Sequence, residues 1–227
     1  MGNTRVLVWG AGGHGKVIVD ALLAGGEWEV VGILDEDEKK RSLTVLDVKV
    51  FSLEGGVAEA AKRLDCGRVA IGIGDNYARF EKFEQVQHAG LTPVNVVHPS
   101  AHVSRFVKMG EGVTILAGAT INPGTTLEDN VCVNTSASVD HDNHLERSCH
   151  IFPNATLTGG VRIKEFAYVG SGAVIAPNLT VEKYSYVGAG AVVLADVAEG
   201  TVVFGAPARV RGEQKKRPVR KIDDHYK

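Results

Sequence analysis

A six-residue period dominates residues 97–197. Every sixth position from Val97 to Val193 is aliphatic, although hydrophobic residues make up only 44% of the chain. The position four residues further on is mostly small or apolar, and Gly, Asn, Asp and Pro lie between. A helix repeats every 3.6 residues and a simple strand every two, so neither explains this pattern. The period predicts a β-helix of hexapeptide repeats, with three short sides per coil, so that residues 18 apart stack.

The first 96 residues show another pattern, in which short apolar strands alternate with helical segments. Strands are predicted over residues 5–9, 29–34, 68–73 and 93–97, and helices over residues 16–24, 57–64 and 77–89. In the first helix, Val17, Ile18, Ala21 and Leu22 are expected to face inward. Strands that alternate with helices are typical of a small α/β domain with a parallel sheet.

The predicted fold class is therefore mixed. A small N-terminal α/β domain with a parallel sheet spans residues 1–96, and a parallel β-helix of hexapeptide repeats follows over residues 97–210. Residues 211–227 form a C-terminal tail, which is basic and then mixed in charge. A solvated terminus or a short capping helix is expected there.

Composition and charge narrow the class of function. The net charge is −2 and the sequence pI about 6.4, so no basic field points to nucleic acid. No apolar run reaches membrane-spanning length, and the N-terminus lacks the basic and apolar regions of a signal peptide. The three cysteines show no paired spacing, as expected in a reducing compartment. These features predict a soluble, cytoplasmic protein without membrane insertion.

A glycine-rich turn follows the first predicted strand. Gly10, Gly12 and Gly15 match the phosphate-loop fingerprint between a strand and a helix, where glycine lets the backbone approach phosphates and the helix N-terminus favours their charge. Asp35 ends the second strand, where a carboxylate can accept hydrogen bonds from ribose hydroxyls. The pattern indicates a nucleotide, and the alternative is a tight turn in an α/β domain.

Two further positions are candidates in this domain. His14 lies between loop glycines and either contacts a diphosphate or fills the turn. Gly74, in the segment Gly74-Asp-Asn76, follows the third predicted strand, where open α/β sheets place ligands. The alternative for that segment is an Asp or Asn cap on the helix that begins near Tyr77.

One coil of the repeat breaks the pattern. Asn143 occupies a slot that is small and apolar in nearly every other repeat, and three histidines surround it, namely His141, His144 and His150. Gly159 lies one coil, or 18 residues, above His141. A position without a side chain over a histidine leaves space for a reacting atom and exposes an N–H that could hold an oxyanion.

These residues suggest general-base catalysis, with neutral His141 accepting a proton from an amine that attacks a thioester. Asp142, or less favourably Asp140, could orient the ring or raise its basicity, and Asp142 can do so only if His141 sits at a corner. His150 is either a surface histidine or a cofactor or interface contact, and His144 is expected to be structural.

Two other chemistries are weighed against this one. Zinc-binding β-helix carbonic anhydrases use a histidine pair four residues apart plus a distant third, whereas the spacings here are three, six and nine, so no metal is expected. Cys149 is a poor candidate for a covalent acyl carrier, because its slot points inward.

Nearly the whole chain resembles the left-handed β-helix N-acetyltransferases that act on nucleotide-linked 4-amino-4,6-dideoxysugars. The resemblance is carried by His141-Asp142, by His150 nine residues on, and by short segments along the chain. These segments are VWGAGGHG (8–15), GILD (32–35), IGIGDN (71–76), HPSA (98–101) and GAPA (205–208).

The resemblance implies a left-handed coil and a homotrimer whose active site lies between subunits. It implies acetyl-CoA as cosubstrate, in the groove between neighbouring helices, and a nucleotide-linked amino sugar in the α/β domain. The implied catalytic residues are His141, Asp142 and Gly159. His150, Ser171 and Ala189 would contact the cofactor, with His150 supplied across the subunit boundary. Gly12, Gly13, His14, Asp35, Glu36 and Gly74 would contact the sugar nucleotide.

Overall likeness favours GDP-perosamine as the acceptor, in the synthesis of O-antigen or another glycan precursor, although no residue reads guanine. UDP- or dTDP-linked amino sugars, O-acetylation on the same scaffold, and a non-catalytic β-helix module stay open as alternatives.

Overall fold

The structure, a computed structural model, describes residues 4–214. The chain divides into two compact units between Pro99 and Ser100. Within residues 4–214, no helix is both long and apolar enough to cross a membrane.

The N-terminal unit is built on a six-stranded sheet in the order β3-β4-β2-β1-β5-β6. All neighbouring strands are parallel except the β3–β4 hairpin. The strands are β1 (Thr4–Trp9), β2 (Trp28–Asp35), β3 (Thr44–Val45), β4 (Val48–Ser52), β5 (Arg68–Ile71) and β6 (Thr92–Pro93), and β7 (Val96–Val97) precedes the division between the units.

Among its described residues, this unit has three α-helices, namely α1 (Gly13–Gly25), α2 (Gly56–Arg63) and α3 (Asn76–His88), with a short 3₁₀ helix over Glu38–Lys40. Ile18, Ala21 and Leu22 of α1 are buried as predicted, but Val17 is 40% exposed and Val19 is buried in its place. The prediction for Val17 was wrong because the buried stripe of α1 runs through Gly15, Ile18, Val19 and Leu22, at helical spacings of three and four, and position 17 lies outside it.

The second unit is the predicted parallel β-helix, and it forms a left-handed three-sided prism. Its first face contains β10 (Thr114–Ile115), β13 (Cys132–Val133), β16 (His150–Ile151), β19 (Tyr168–Val169) and β22 (Tyr186–Val187). The second face contains β8 (His102–Val103), β11 (Thr120–Ile121), β14 (Ser138–Val139), β17 (Thr156–Leu157), β20 (Val174–Ile175) and β23 (Val192–Val193). The third face contains β9 (Lys108–Met109), β12 (Thr126–Leu127), β15 (His144–Leu145), β18 (Arg162–Ile163) and β21 (Thr180–Val181).

The register of this prism follows from the period of six. Each strand pairs in parallel with the strand 18 residues away, as Val139 does with Leu157. The aliphatic anchors from Ile115 to Val193 are at most 2% exposed, whereas Val103 and Met109 near the start of the prism remain partly exposed. Burial of this aliphatic column supplies the main stabilising free energy of the unit, because apolar area removed from water is the largest favourable contribution to folding.

The prism ends with a hairpin formed by β24 (Thr201–Phe204) and β25 (Arg209–Glu213). β25 therefore extends three residues beyond position 210, where the repeat domain was predicted to end. Residues 215–227 of the predicted tail lie outside the described residues.

Candidate active site

His141 lies at the corner of the prism between the second and third faces. Asp142 follows it in a left-handed backbone conformation, with φ of 58°. This turn places both side chains on the same side of the corner, which a continuous strand would not allow. His141 Nδ1 donates to Asp142 Oδ2 at 2.8 Å, and the condition for Asp142 to orient His141 is met.

The charges around His141 favour its protonated form. The hydrogen bond to Asp142, and next the negative charge of Asp140, raise the pKa of His141 above its ordinary value. Asp140 Oδ1 accepts from the His141 backbone N–H at 2.9 Å and from Asn122 at 2.8 Å. The Asn122 amide, and then this backbone bond, lower the pKa of Asp140. Because Nδ1 donates to Asp142, the neutral ring presents Nε2 as its proton acceptor.

Gly159 lies directly against the ring of His141, one coil above it. A methyl group built on Gly159 would be 2.6 Å from Cε1 and 2.8 Å from Nε2 of His141. The two coils are held together by a hydrogen bond from Gly160 N–H to the His141 carbonyl at 3.0 Å. The ring is 60% exposed, so its Nε2 edge and Gly159 border the same open surface.

The corner amides of the prism fall into two groups. The amides of Thr135, His141 and Glu165 each donate to a side-chain oxygen, whereas no described residue accepts from the corner amides of Ala117, Ser171 and Ala189. The residue before Gly159 is Thr158, and its hydroxyl donates to the Ile175 carbonyl instead. Among the described residues, none accepts a hydrogen bond from Gly159 N–H. This amide is therefore available to an oxyanion.

His150 is nine residues, or half a coil, from His141. It lies on the first face, whereas His141 lies at the corner between the second and third faces. Its side chain is 2% exposed, stacks on Phe152 at 4.2 Å and pairs through Nε2 with Asn134 at 3.2 Å. A single prism thus does not bring His150 and His141 to one site.

Ser171 and Ala189 lie at another corner of the prism. Both lie between the first and second faces, on successive coils, and both are exposed. They line the edge on the opposite side of the second face from His141. The predicted cofactor contacts therefore stack as expected from their spacing of 18, but on a different edge from the base.

In the N-terminal unit, the loop glycines have two separate roles. A methyl group on Gly15 would lie 1.9 Å from the Gly10 carbonyl oxygen, and one on Gly10 would lie 2.7 Å from the Gly72 carbonyl oxygen. Gly10 and Gly15 thus serve close packing of the loop. Methyl groups on Gly12 and Gly13 would meet nothing within 4 Å. Gly12 and Gly13 are exposed at the start of α1, where a phosphate can approach the helix N-terminus.

Asp35 holds the loop from the end of β2. Its carboxylate accepts from Ala11 N–H at 2.8 Å, from Asp37 N–H at 2.9 Å and from Lys40 Nζ at 2.9 Å. Burial alone would raise the pKa of Asp35, but these three bonds together lower it below the ordinary value. Glu36 points elsewhere and pairs with Lys82, whose Nζ lies 5.1 Å from the Trp9 ring centroid. The sequence analysis missed both lysines, although Lys40 is only 5 residues from Asp35, whereas Lys82 is 46 residues from Glu36.

His14 packs beside Gly74, at the carboxyl ends of β1 and β5. Burial, and next the positive charge of Arg79, lower the pKa of His14 to about 4, so the ring is neutral at pH 7. Arg79 is 1% exposed and donates to the Gly74 carbonyl at 3.3 Å and to Asn76 Oδ1 at 2.9 Å. Asp75 caps α3 through Ala78 N–H, as the alternative interpretation expected. His14 and Gly74 thus lie together at the sheet edge where ligands bind in open α/β folds.

The remaining candidates have structural environments. His144 Nε2 pairs with Glu128 at 2.7 Å, and Cys149 is completely buried in the core of the prism. Among residues 4–214, no group of three or more His, Cys, Asp or Glu side chains is arranged to hold a metal ion.

The chain is similar to several known proteins. Residues 5–86 match the PglD N-terminal domain. The sequence is 37% identical to that of PerB from Caulobacter crescentus, which has been crystallised in complex with CoA and GDP-perosamine. The TM-score between the two structures is 0.86. The match covers 93% of this chain and 98% of that one.

Two further proteins are similar. The acetyltransferase domain of PglB from Neisseria gonorrhoeae, in complex with acetyl coenzyme A, is 33% identical with a TM-score of 0.83, over 92% of this chain and 100% of that one. UDP-N-acetylbacillosamine N-acetyltransferase of Bacillus subtilis is 32% identical over 123 residues, which are 50% of this chain and 51% of that protein. The matched segment spans about half the length of this curated relative.

The PerB match extends over nearly the full length of both chains, at an identity that indicates common descent. The chain therefore belongs to the left-handed β-helix N-acetyltransferases that act on nucleotide-linked 4-amino-4,6-dideoxysugars.

Proposed function

We propose that this protein transfers the acetyl group of acetyl-CoA to the 4-amino group of a nucleotide-linked dideoxysugar, with GDP-perosamine as the favoured acceptor. One observation carries the proposal. A histidine oriented by a carboxylate presents Nε2 beside a backbone N–H that no described residue engages, at Gly159. A base and an oxyanion donor on the same open surface are the two groups that direct acyl transfer requires.

The reaction proceeds without an acyl-enzyme. The neutral sugar amine attacks the thioester carbonyl carbon, and the new C–N bond forms as the carbonyl oxygen becomes an oxyanion. Gly159 N–H donates to that oxyanion, and His141 Nε2 accepts the proton from the amine. Collapse of the tetrahedral intermediate breaks the C–S bond, and protonated His141 returns a proton to the CoA thiolate. The products are an acetamido sugar and CoA.

A homotrimer with active sites between subunits supports this chemistry. His150 lies on a different face from His141, so both can serve one site only if neighbouring subunits contribute one each. Ser171 and Ala189 line the edge across the second face from His141, where CoA bound between prisms would run. Gly12, Gly13 and His14, with Asp35, Glu36 and Gly74, would hold the nucleotide sugar at the sheet edge of the α/β unit.

GDP-perosamine is favoured because PerB, crystallised with that ligand, matches almost the entire chain. A UDP-linked acceptor is the second candidate, because the Bacillus subtilis relative is named for a UDP-linked sugar. Synthesis of O-antigen or another glycan precursor would use such a product. The cytoplasmic location stays a prediction.

The test is a substrate panel. The protein is incubated with acetyl-CoA and with GDP-, UDP- and dTDP-linked 4-amino-4,6-dideoxysugars, and products are identified by mass spectrometry and NMR. We expect one acetyl group on the 4-nitrogen, with the highest kcat/KM for the GDP-linked sugar. The proposal fails if no amine is acetylated or if the acetyl group is found on oxygen. A burst of acetylated protein before amine is added would instead indicate a ping-pong route.

A further inference from the structure

A buried amide connects the two halves of the candidate active site. Asn143 is 1% exposed and occupies an inward slot of the prism, directly beneath the corner of His141. The equivalent slot one coil above contains Val161, and inward slots of the second face contain Ala137 and Ala155, whereas the slot one coil below contains the buried Thr125. Burying an uncharged polar side chain in such a position costs free energy of folding unless the side chain is hydrogen-bonded.

The bonds of this side chain are directed at two peptide groups. Asn143 Nδ2 donates to the Asp140 carbonyl at 2.7 Å and to the Thr158 carbonyl at 3.0 Å, with a longer contact to the His141 carbonyl at 3.3 Å. The reverse amide orientation would place the side-chain oxygen against three carbonyl oxygens, so its neighbours fix Nδ2 as the donor.

These two peptide groups carry the two reactive residues. The Thr158 carbonyl belongs to the same peptide unit as Gly159 N–H, and the Asp140 carbonyl belongs to the same unit as His141 N–H. In a trans peptide the C=O and the N–H point in opposite directions. Because the Thr158 carbonyl is drawn inward to Asn143, Gly159 N–H must point outward, toward the surface beside Nε2 of His141.

We propose that Asn143 is a positioning residue that sets the oxyanion donor and the base in register. It acts through Gly159 and His141 and touches neither substrate, and the inference rests on the proposed function of those two residues. No other described residue donates to the Thr158 carbonyl. The Asp140 carbonyl, by contrast, has a second donor in Thr125 Oγ1 at 2.9 Å. The orientation of the Gly159 amide therefore depends on Asn143 more than the orientation of the His141 turn does.

The side-chain oxygen of Asn143 makes no hydrogen bond. Asn143 Oδ1 is buried and has no partner among residues 4–214. An apolar side chain of similar size would remove that unsatisfied atom, although it would also leave the Thr158 carbonyl without a donor. The residue is thus better explained by the geometry it imposes than by the stability it contributes.

The experiment compares Asn143→Leu with the wild type in the full-length protein, using acetyl-CoA and the best acceptor of the substrate panel. We expect kcat per mole of folded protein to fall by about 10- to 100-fold, since loss of a well-placed oxyanion donor typically costs about 10²- to 10³-fold. KM for both substrates should change by less than about threefold. The pH at which kcat rises should not move, because the His141–Asp142 bond is retained.

Two variants serve as comparisons, and a third is held as a replacement. Thr125→Val removes the second donor to the Asp140 carbonyl and should lower kcat less than Asn143→Leu does. Ser185→Ala removes a buried hydroxyl from an equivalent inward slot at another edge and should leave kcat unchanged. If Asn143→Leu does not fold, Asn143→Ala, the residue type found in slots 137 and 155, replaces it.

A kcat for Asn143→Leu within about twofold of the wild type overturns the inference. So does a loss of activity that disappears when rates are normalised to the folded fraction. His141→Ala, measured in parallel, distinguishes a failure of the proposed function from a failure of the positioning role. Full activity in His141→Ala refutes the proposed function itself, whereas an inactive His141→Ala beside an unimpaired Asn143→Leu refutes only the positioning role.

Discussion

The contact between Gly159 and His141 gives the sharpest mutational prediction. Gly159 does not have a left-handed backbone conformation, so alanine is tolerated by its main chain. The added methyl carbon would nevertheless lie 2.6 Å from His141 Cε1, where ordinary contacts begin at 3.4 Å. The ring must therefore move by about 0.8 Å, and its Nδ1 bond to Asp142 is broken or lengthened.

A displacement of about 1 Å of a reacting group costs on the order of 10²-fold in rate. We therefore expect Gly159→Ala to lower kcat by about 10²-fold, with little change in KM for either substrate. The melting temperature should stay near that of the wild type, because the ring is 60% exposed and can swing into solvent. Gly159→Ala keeps its backbone N–H, so the loss reports on the imidazole rather than on the oxyanion donor.

The assay follows release of the CoA thiol during acetylation of the best acceptor of the substrate panel. Gly212→Ala is a matched control, because its methyl group would meet nothing within 4 Å and its backbone is likewise not left-handed. The double variant Gly159→Ala, His141→Ala should be no slower than His141→Ala alone. A kcat for Gly159→Ala within about twofold of the wild type would refute the shared placement of ring and glycine.

Three other outcomes are expected. Asp142→Asn removes the main cause of the raised pKa of His141. Since the base must be neutral to accept a proton, the acidic limb of the kcat/KM profile should move to lower pH. A limb that does not move would contradict the pairing of His141 with Asp142. Asp35→Ala frees Ala11 N–H and should raise KM for the nucleotide sugar several-fold while kcat changes less than about twofold, as steady-state kinetics would show. The pKa of His14 is about 4 in the folded protein and ordinarily 6.5, so unfolding takes up a proton in this range. In urea unfolding this proton uptake should contribute a loss of about 3 kcal/mol as pH falls from 6.5 to 4, and His14→Gln should lose less stability than the wild type over this range by about that amount.

The architecture of the second unit was predictable because its physics is periodic. An aliphatic side chain every six residues can be buried only if three sides fold around one axis, and this requirement fixes the pairing of residues 18 apart, such as Val139 with Leu157. The α/β unit was less fully predicted. The strand Val48–Ser52 was missed. It lies between the predicted strand at 29–34 and the predicted helix at 57–64, in a segment to which no element was assigned.

The sequence predicted which residues lie at the candidate site, but it did not predict the hydrogen bonds between them. The spacing of 18 between His141 and Gly159 predicted that they stack, and the structure places them in contact. The hydrogen bond between His141 and Asp142 depends on the left-handed conformation of Asp142, which the sequence does not specify, since many residue types occupy these corners. Asn143 stood out as polar in an apolar slot, but the direction of its amide follows only from three-dimensional positions.

Acetyl transfer by this protein depends on His141 as the proton acceptor. The most direct measurement is the pH dependence of kcat/KM for His141→Ala beside the wild type, with the N-acetylated product verified by mass spectrometry. We expect the variant to lose about 10²- to 10⁴-fold in kcat/KM at its plateau and to lose the acidic limb that reports the imidazole. An undiminished kcat/KM with that limb intact would contradict the role assigned to His141.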